Sequence, residues 1–505
     1  MPYFLPTSIC LVLFILSFLR KRSKAQVSSI LELAPGPWKL PVIGNLHQLI
    51  GTLPHRSLRN LAKKYGPVMH LQVGEIPFFV ISSPQGAKEM MKTHDLHFAQ
   101  RRASLAGEYL SYGNSGISFA PYGDQWRQLR KICVVELLSA KRVHAYRSIR
   151  EEEAWNMIKS ISASCGLAID LSEKLLSYTN DVTSRSAFGN KCKEQEEFIS
   201  LLDQIRQLTG GFKIADVFPS LRFLLGYATG MTPALRKSHK KLDKILDIII
   251  NHHKVKRQNL ATTGAGKPGG EDVIDVLLNL QESGMQEFKI TMNHVKAVAL
   301  DIFSAGSETS ATTLEWAMSE LLRNPRVLTK AQEEVRRVLK GKKKIQEIDI
   351  HELDYLKSVV KETLRLHPPV SLITRVARER CEVNGYEVPA DTKFIINLFA
   401  LGRDPEYWVD AGSFKPERFD GSSIDYKGNS FEFLPFGGGR RICPGISLGA
   451  ANVELVLSQL LYHFDWKLGN GNKPEELDME ESFGVSCRRK NYLDLIPTQV
   501  IPFAY

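Results

Sequence analysis

The chain has 505 residues, 43% of them hydrophobic and 24% charged. That composition excludes a collagen, a repeat array or a disordered tail and leaves length enough to enclose a cofactor. The net charge of +11 is compatible with an anionic membrane or an acidic protein partner, but Lys and Arg are scattered rather than striped with aromatics, which argues against nucleic acid.

From Phe4 to Leu19 the residues are almost wholly apolar, and Arg20, Lys21, Arg22 and Lys24 follow. A cleaved signal peptide carries its positive charges before the apolar run, so the reversed order predicts an uncleaved anchor over 1–22 with the basic cluster on the cytosolic side. Residues 23–50 are basic and then rich in Pro (Pro35, Pro37, Pro41). Pro discourages helix, so this stretch is expected as a stiff, extended hinge or simply a linker. The folded body is expected over 51–505.

Within that body, 68–81 reads as a hairpin of two β-prone runs around Gly74-Glu75. Apolar positions three and four apart predict helices over 145–162, 192–208, 236–258, 293–322, 328–340 and 351–366. Short strands are expected at 381–388 and 393–397. The fold class is therefore mainly α with a small β-sheet region. Gly264 to Gly269 match G-x-G-x-x-G, but a basic helical run precedes them and Pro268 interrupts them. A dinucleotide motif must follow a strand and open a helix, so a surface loop is expected and the chain has no nicotinamide or flavin site of its own.

Cysteine usage narrows the chemistry. There are seven Cys, an odd number, widely spaced and without a CxxC pair. Neither a disulfide framework nor structural zinc fits, which points to a reducing compartment and one functional Cys. Cys443 stands out. It lies in FEFLPFGGGRRICPGISLG, a Gly-rich loop running into an apolar helix from Ala450. A helix N-terminus and nearby amides stabilise a thiolate, and Gly residues let backbone approach a flat ligand. Two rival readings stand beside it: an inert buried Cys in a Gly turn, and a phosphate cradle from Gly-Gly-Gly-Arg-Arg, which lacks a Walker pattern.

Three other places break the local rules or set residues on one helical face. Gly306, Glu308 and Thr309 interrupt an apolar helical run at 298–318; such conflicts often mark function, the alternative being a satisfied polar patch on a core helix. Glu362 and Arg365 lie three apart and can pair. Trp126 and Arg130 lie four apart and face the same way, which a packing Trp with a surface Arg would also do.

The run Phe436-x-x-Gly439-x-Arg441-x-Cys443-x-Gly445 resembles the haem-binding signature of the cytochrome P450 superfamily. The family's other motifs also occur in order across nearly the whole chain, most like its plant microsomal A-type members. The resemblance implies the P450 fold, haem b, and Cys443 as axial ligand to the iron. It implies that Ala305-Gly306-x-Glu308-Thr309 flanks the haem, Thr309 hydrogen-bonding dioxygen and Glu308 (where Asp is commoner) relaying protons. It assigns Arg441, Trp126, Arg130 and Arg375 to the haem propionates. Glu362 and Arg365 would join Arg418, from Phe-Lys-Pro-Glu-Arg-Phe, in a structural ion triad.

By the same resemblance the substrate pocket draws on Leu105, Ile117, Phe119, Val370, Ile373, Phe483 and Val485, a lining suited to a small lipophilic molecule. A terpenoid is favoured, with an alkaloid or phenolic as alternative. Electrons would come from NADPH through a separate membrane-bound flavoprotein reductase, at the cytosolic side of the endoplasmic reticulum. Two other classes stay open: a same-fold haem isomerase or dehydratase that does not use dioxygen, and a membrane-tethered haem-binding scaffold.

Overall fold

The structure is a computed structural model that describes residues 34–502, apart from 103, 192–194, 210–211, 264–270, 285–287 and 472. The expected anchor at 1–22 and the Gly264–Gly269 loop lie outside the described residues. From Ala34 onward the Pro-rich segment is already tied to the body. His70 donates its backbone N–H to Pro35 O at 2.9 Å. The buried Asn45 amide donates to Pro37 O (3.2 Å) and Trp38 O (2.9 Å), and its Oδ1 accepts the Gln72 N–H at 2.8 Å. So the described part of the expected hinge runs along a strand instead of standing free: Pro residues lack a donor, but their carbonyls can still be bonded.

The body begins with α1 (Pro54–Tyr65) and the hairpin of β1 (Val68–Val73) and β2 (Ile76–Ile81). Then come α2 (Asp124–Ile132), α3 (Arg147–Ser162), α4 (Leu171–Phe188), α5 (Gln195–Thr209), α6 (Met231–Thr263), α7 (Val273–Ser283), α8 (Met292–Arg323), α9 (Pro325–Val338) and α10 (Asp354–Leu366). After α10 follow β3 (Leu372–Val376), the hairpin β4 (Cys381–Val383) and β5 (Tyr386–Val388), and β6 (Lys393–Asn397). A long irregular stretch leads to α11 (Ile446–His463), and β7 (Phe464–Leu468), β8 (Glu481–Phe483), β9 (Cys487–Arg489) and β10 (Asp494–Gln499) complete the described elements.

The largest sheet has the order β1-β2-β6-β3. Its β2/β6 pair is parallel and its β6/β3 pair antiparallel, with Ile373 opposite Ile396 and Arg375 opposite Phe394. Successive strand residues point to opposite faces, so β3 turns Ile373 and Arg375 one way and Leu372 and Thr374 the other.

Helix α8 is the axis of the helical part. Every side chain from Ser310 to Leu322 is buried, as expected of a helix enclosed on all sides. Its internal hydroxyls are satisfied locally: Thr313 donates to Thr309 O at 2.9 Å and Ser319 to Glu315 O at 2.7 Å. At Gly306 α8 packs directly against α4. A Cβ there would stand 3.3 Å from both Thr183 Cγ2 and Thr183 Oγ1, so the missing side chain serves helix–helix packing.

Candidate active site

A cavity of about 280 Å³ opens between α8, the segment from Pro369 to Arg375, the end of α2 and the loop that precedes α11. Cys443 lines it, together with Phe436, Ala305, Thr309, Trp126 and Arg130. The Cys443 N–H donates to Phe436 O at 2.9 Å, and the Gly445 N–H donates to Cys443 Sγ at 3.3 Å. Burial pushes the thiol above the ordinary range, and the Gly445 hydrogen bond and the Arg130 charge only partly offset it. A thiolate at this position therefore calls for a coordinated cation, which iron would be.

The loop holds this shape by closing on the segment before Asp95. Gly439 has φ +65°, and a Cβ there would lie 2.3 Å from Asp95 Oδ1 and 2.6 Å from Met91 O. Asp95 in turn accepts the Arg440 N–H at 3.1 Å. Gly439 thus serves the loop's docking. At Gly445 an added Cβ would stand 3.8 Å from the sulfur, ordinary contact.

Four guanidinium groups line the same cavity: Arg101, Arg130, Arg375 and Arg441. Burial, then the charges of Arg101 and Arg441, hold Arg375 well below the usual arginine range. Burial, then Arg101 and Arg130, push Arg441 down to about 9. Arg101 Nε is buried without a hydrogen-bond partner among the described residues. Mutually repelling buried cations with open donors fit the two carboxylates of a haem, so the donor set suits that group. Arg101 is absent from the sequence-based set, because an Arg in a loop has no local pattern that distinguishes it.

The other expected residues divide. Trp126 donates its indole N–H to Ile117 O at 3.0 Å, and its ring lies 4.5 Å below the Arg441 guanidinium. Arg130 donates to Ile442 O, next to the sulfur. Thr309 donates to Ala305 O at 2.8 Å. Glu308 is buried on the adjoining flank of α8, and neither it nor Gly306 lines the cavity. Ile117, Val370 and Ile373 line the cavity, whereas Phe119, Phe483 and Val485 line a neighbouring one. Leu105 lines neither. It opens the short helical turn Leu105–Leu110 and packs with Ala106, Ala215, Met231 and Leu235.

Away from the cavity, Glu362 and Arg365 form a fully buried pair at 2.7 and 2.8 Å, and Arg418 reaches Glu362 Oε1 at 3.1 Å. Arg365 also donates to Ala411 O at 2.8 Å and Ser413 O at 3.1 Å, fastening the stretch between β6 and the Cys443 loop.

A mainly helical body around a buried sulfur, faced by anion-seeking guanidiniums, defines a haem-thiolate enzyme. The cytochrome P450 family model matches residues 34–494, and the chain belongs to that family. It is 55% identical to a melianol synthase of Melia azedarach, over all of both chains. It is also 55% identical to a desmethyl-deoxy-podophyllotoxin synthase of Sinopodophyllum hexandrum, over 98% of this chain and 97% of that one. A zebrafish cytochrome P450 solved with progesterone superposes with a TM-score of 0.77 at 25% identity, covering 89% of this chain and 100% of the other. The protein is thus a monooxygenase that carries haem b on a cysteine thiolate, draws on NADPH through a reductase and acts on a lipophilic substrate.

Proposed function

We propose that the chain hydroxylates a small lipophilic plant metabolite, a terpenoid in the first instance, with Cys443 as the axial ligand of the haem iron. The buried sulfur carries the assignment: it accepts an amide hydrogen bond and opens on a cavity lined by four guanidiniums. Arg101, Arg130, Arg375 and Arg441 would hold the haem carboxylates, and the Trp126 ring supports Arg441. Haem bound there supplies the activation of dioxygen. The chain's own part is to keep water out with Ile117, Val370 and Ile373, to orient the substrate against them, and to deliver protons. The Thr309 hydroxyl opens on the cavity and Glu308 passes protons towards it. A hydroxyl at this place favours oxygenation over the isomerase or dehydratase alternative.

The aliphatic lining and the melianol synthase relative support a terpenoid. The podophyllotoxin-type relative, at equal identity, makes an aromatic substrate the second class to screen. The deciding measurement is the absorption spectrum of the reduced, carbon-monoxide-bound protein. Wild type should give the strongly red-shifted thiolate Soret band, and Cys443→Ser should abolish it. A band that survives the substitution would defeat the ligand assignment. Incubation with NADPH, reductase and a panel of terpenes then identifies the substrate.

Residues 1–22 anchor the protein in the endoplasmic reticulum membrane with its body on the cytosolic side; among the described residues no helix is long and apolar enough to cross a membrane. The membrane-bound flavoprotein reductase docks on the face carrying Arg440, whose half-exposed side chain lies 3.3 Å from Asp95. Raising ionic strength should slow electron delivery, and turnover indifferent to salt would remove this docking site.

A further inference from the structure

Beside the Cys443 cavity lies a second one of about 260 Å³. Phe78, Phe119 and Phe483 supply apolar walls, while Arg101, Arg102, Lys213, Arg375 and Lys393 surround a single acid, Asp216. That acid is already engaged: Asp216 Oδ1 accepts the Leu105 N–H at 2.7 Å and lies 3.9 Å from Arg222. Arg101 and Arg375 face both cavities and belong to the haem carboxylates in the reading above. Arg102 and Lys393 face only the second.

Lys393 is the telling residue. It starts β6, opposite Phe78 of β2, and its ammonium lies 5.6 Å from the Phe78 ring centroid. Burial lowers its pKa from the ordinary lysine range, the charge of Asp216 offsets this only in part, and Arg102 and Arg222 add to it. A ring face offsets only part of the desolvation of an ammonium. The two cavities also share their walls: Ile117 and Phe119 stand two residues apart in one loop, and Ile373 and Leu372 are neighbours on β3, one of each pair in each cavity.

We propose that the second cavity receives the anionic end of an amphiphilic substrate, an apolar terpenoid-like skeleton bearing a carboxylate, with Arg102 and Lys393 as the charge contacts and the skeleton directed towards Cys443. This rests on the monooxygenase reading and narrows its substrate class. An ionised acceptor on two cationic donors should bind about tenfold better than its neutral ester.

The test uses the full-length, haem-loaded protein in detergent with abietic acid and methyl abietate, two ligands of one skeleton, titrated calorimetrically near neutral pH. Wild type should bind the acid about tenfold more tightly than the ester. The Arg102→Gln/Lys393→Met protein should bring the ratio close to one while ester affinity and the carbon monoxide band stay unchanged. Arg102→Gln alone, at an exposed position, should narrow the ratio even if the double variant folds poorly. A wild-type ratio near one, or a preference that outlives both substitutions, overturns the proposal. So does a double variant that loses only adsorption to phosphatidylserine vesicles, which would make the anion a lipid headgroup. Loss of the thiolate band with the acid preference intact would instead sink the monooxygenase reading.

Discussion

Asp301 Oδ2 accepts the backbone N–H of Ile117 at 2.7 Å. The same oxygen accepts the Ser118 N–H at 3.1 Å, and a Cβ on Gly116 would collide with it at 2.3 Å. One carboxylate on α8, a turn before Ala305, thus holds the loop whose Ile117 and Ser118 line the cavity. It is also the counter-charge facing Arg101.

Asp301→Ala should leave two amides unpaired and Arg101 without its counter-charge. A buried donor left open costs roughly 1–3 kcal/mol and these amides are partly buried, so thermal unfolding should shift down by a few degrees and haem content should fall. Asp301→Asn, which keeps an acceptor oxygen, should lose less. An alanine variant as stable and as haem-replete as wild type would mean that the loop is held by its packing.

Glu362 and Arg365 are both fully buried, so breaking the pair should be expensive. Removing one partner of a buried ion pair typically destabilises by about 3–5 kcal/mol, and Glu362→Gln would also strand Arg418 and weaken the bond from the Lys415 N–H, 2.7 Å from Glu362 Oε1. Chemical denaturation compared with wild type measures this. A loss below about 1 kcal/mol, the range of surface pairs, would mean that Arg365's bonds to backbone carbonyls hold the region without the acid.

Glu481 gives a pH signature. Burial alone would raise its pKa, but hydrogen bonds from His55 at 2.9 Å and Arg56 at 2.7 Å hold it down at about 2, against an ordinary 4.5. A depressed carboxyl contributes stability that is complete above its unfolded pKa and is lost as pH falls through its folded one. The stability gap between wild type and Glu481→Gln should therefore be widest above pH 4.5 and close as pH approaches about 2. Denaturation midpoints along that range would expose a gap independent of pH, which this ion pair does not allow.

How far the sequence could be read depended on whether the signal was local. The hairpin Val68–Ile81 and helix α8 followed from periodicity, and the Cys443 loop from residue types at fixed spacing, because each is specified within a short run of chain. Helix α4 was missed. Its buried face includes Thr179, Asn180, Thr183, Ser184 and Ser186, small polar side chains that let α8 come close and erase the apolar period. Its caps, Asp170 accepting the Glu173 N–H and Gly189 at φ +76°, were the readable signs. Arg101 acquires meaning only where three distant segments bring Arg130, Arg375 and Arg441 beside it. Gly306 breaks the helical pattern, and Thr183 supplies a packing reason for it that no local run of sequence displays. The loop position places Leu105 in the pocket, yet its side chain turns towards Met231 and Leu235 of α6.

In the proposed reading Thr309 serves oxygen chemistry and not haem binding, and its substitution tests that. Its hydroxyl proton is given to Ala305 O at 2.8 Å, which leaves the oxygen's lone pairs for a donor in the cavity and lets the proton swing inward without a change of rotamer. Thr309→Ala removes that device but nothing that holds the helix, since Thr313 bonds the Thr309 carbonyl rather than its side chain. Haem content and the carbon monoxide band should be unchanged and NADPH should still be consumed, while product formed per NADPH falls several-fold and hydrogen peroxide rises to match. Thr309→Ser should restore most of the yield, and Thr309→Val, which keeps the shape, should not. Equal yields from the valine and serine variants would transfer proton delivery from this hydroxyl to another group.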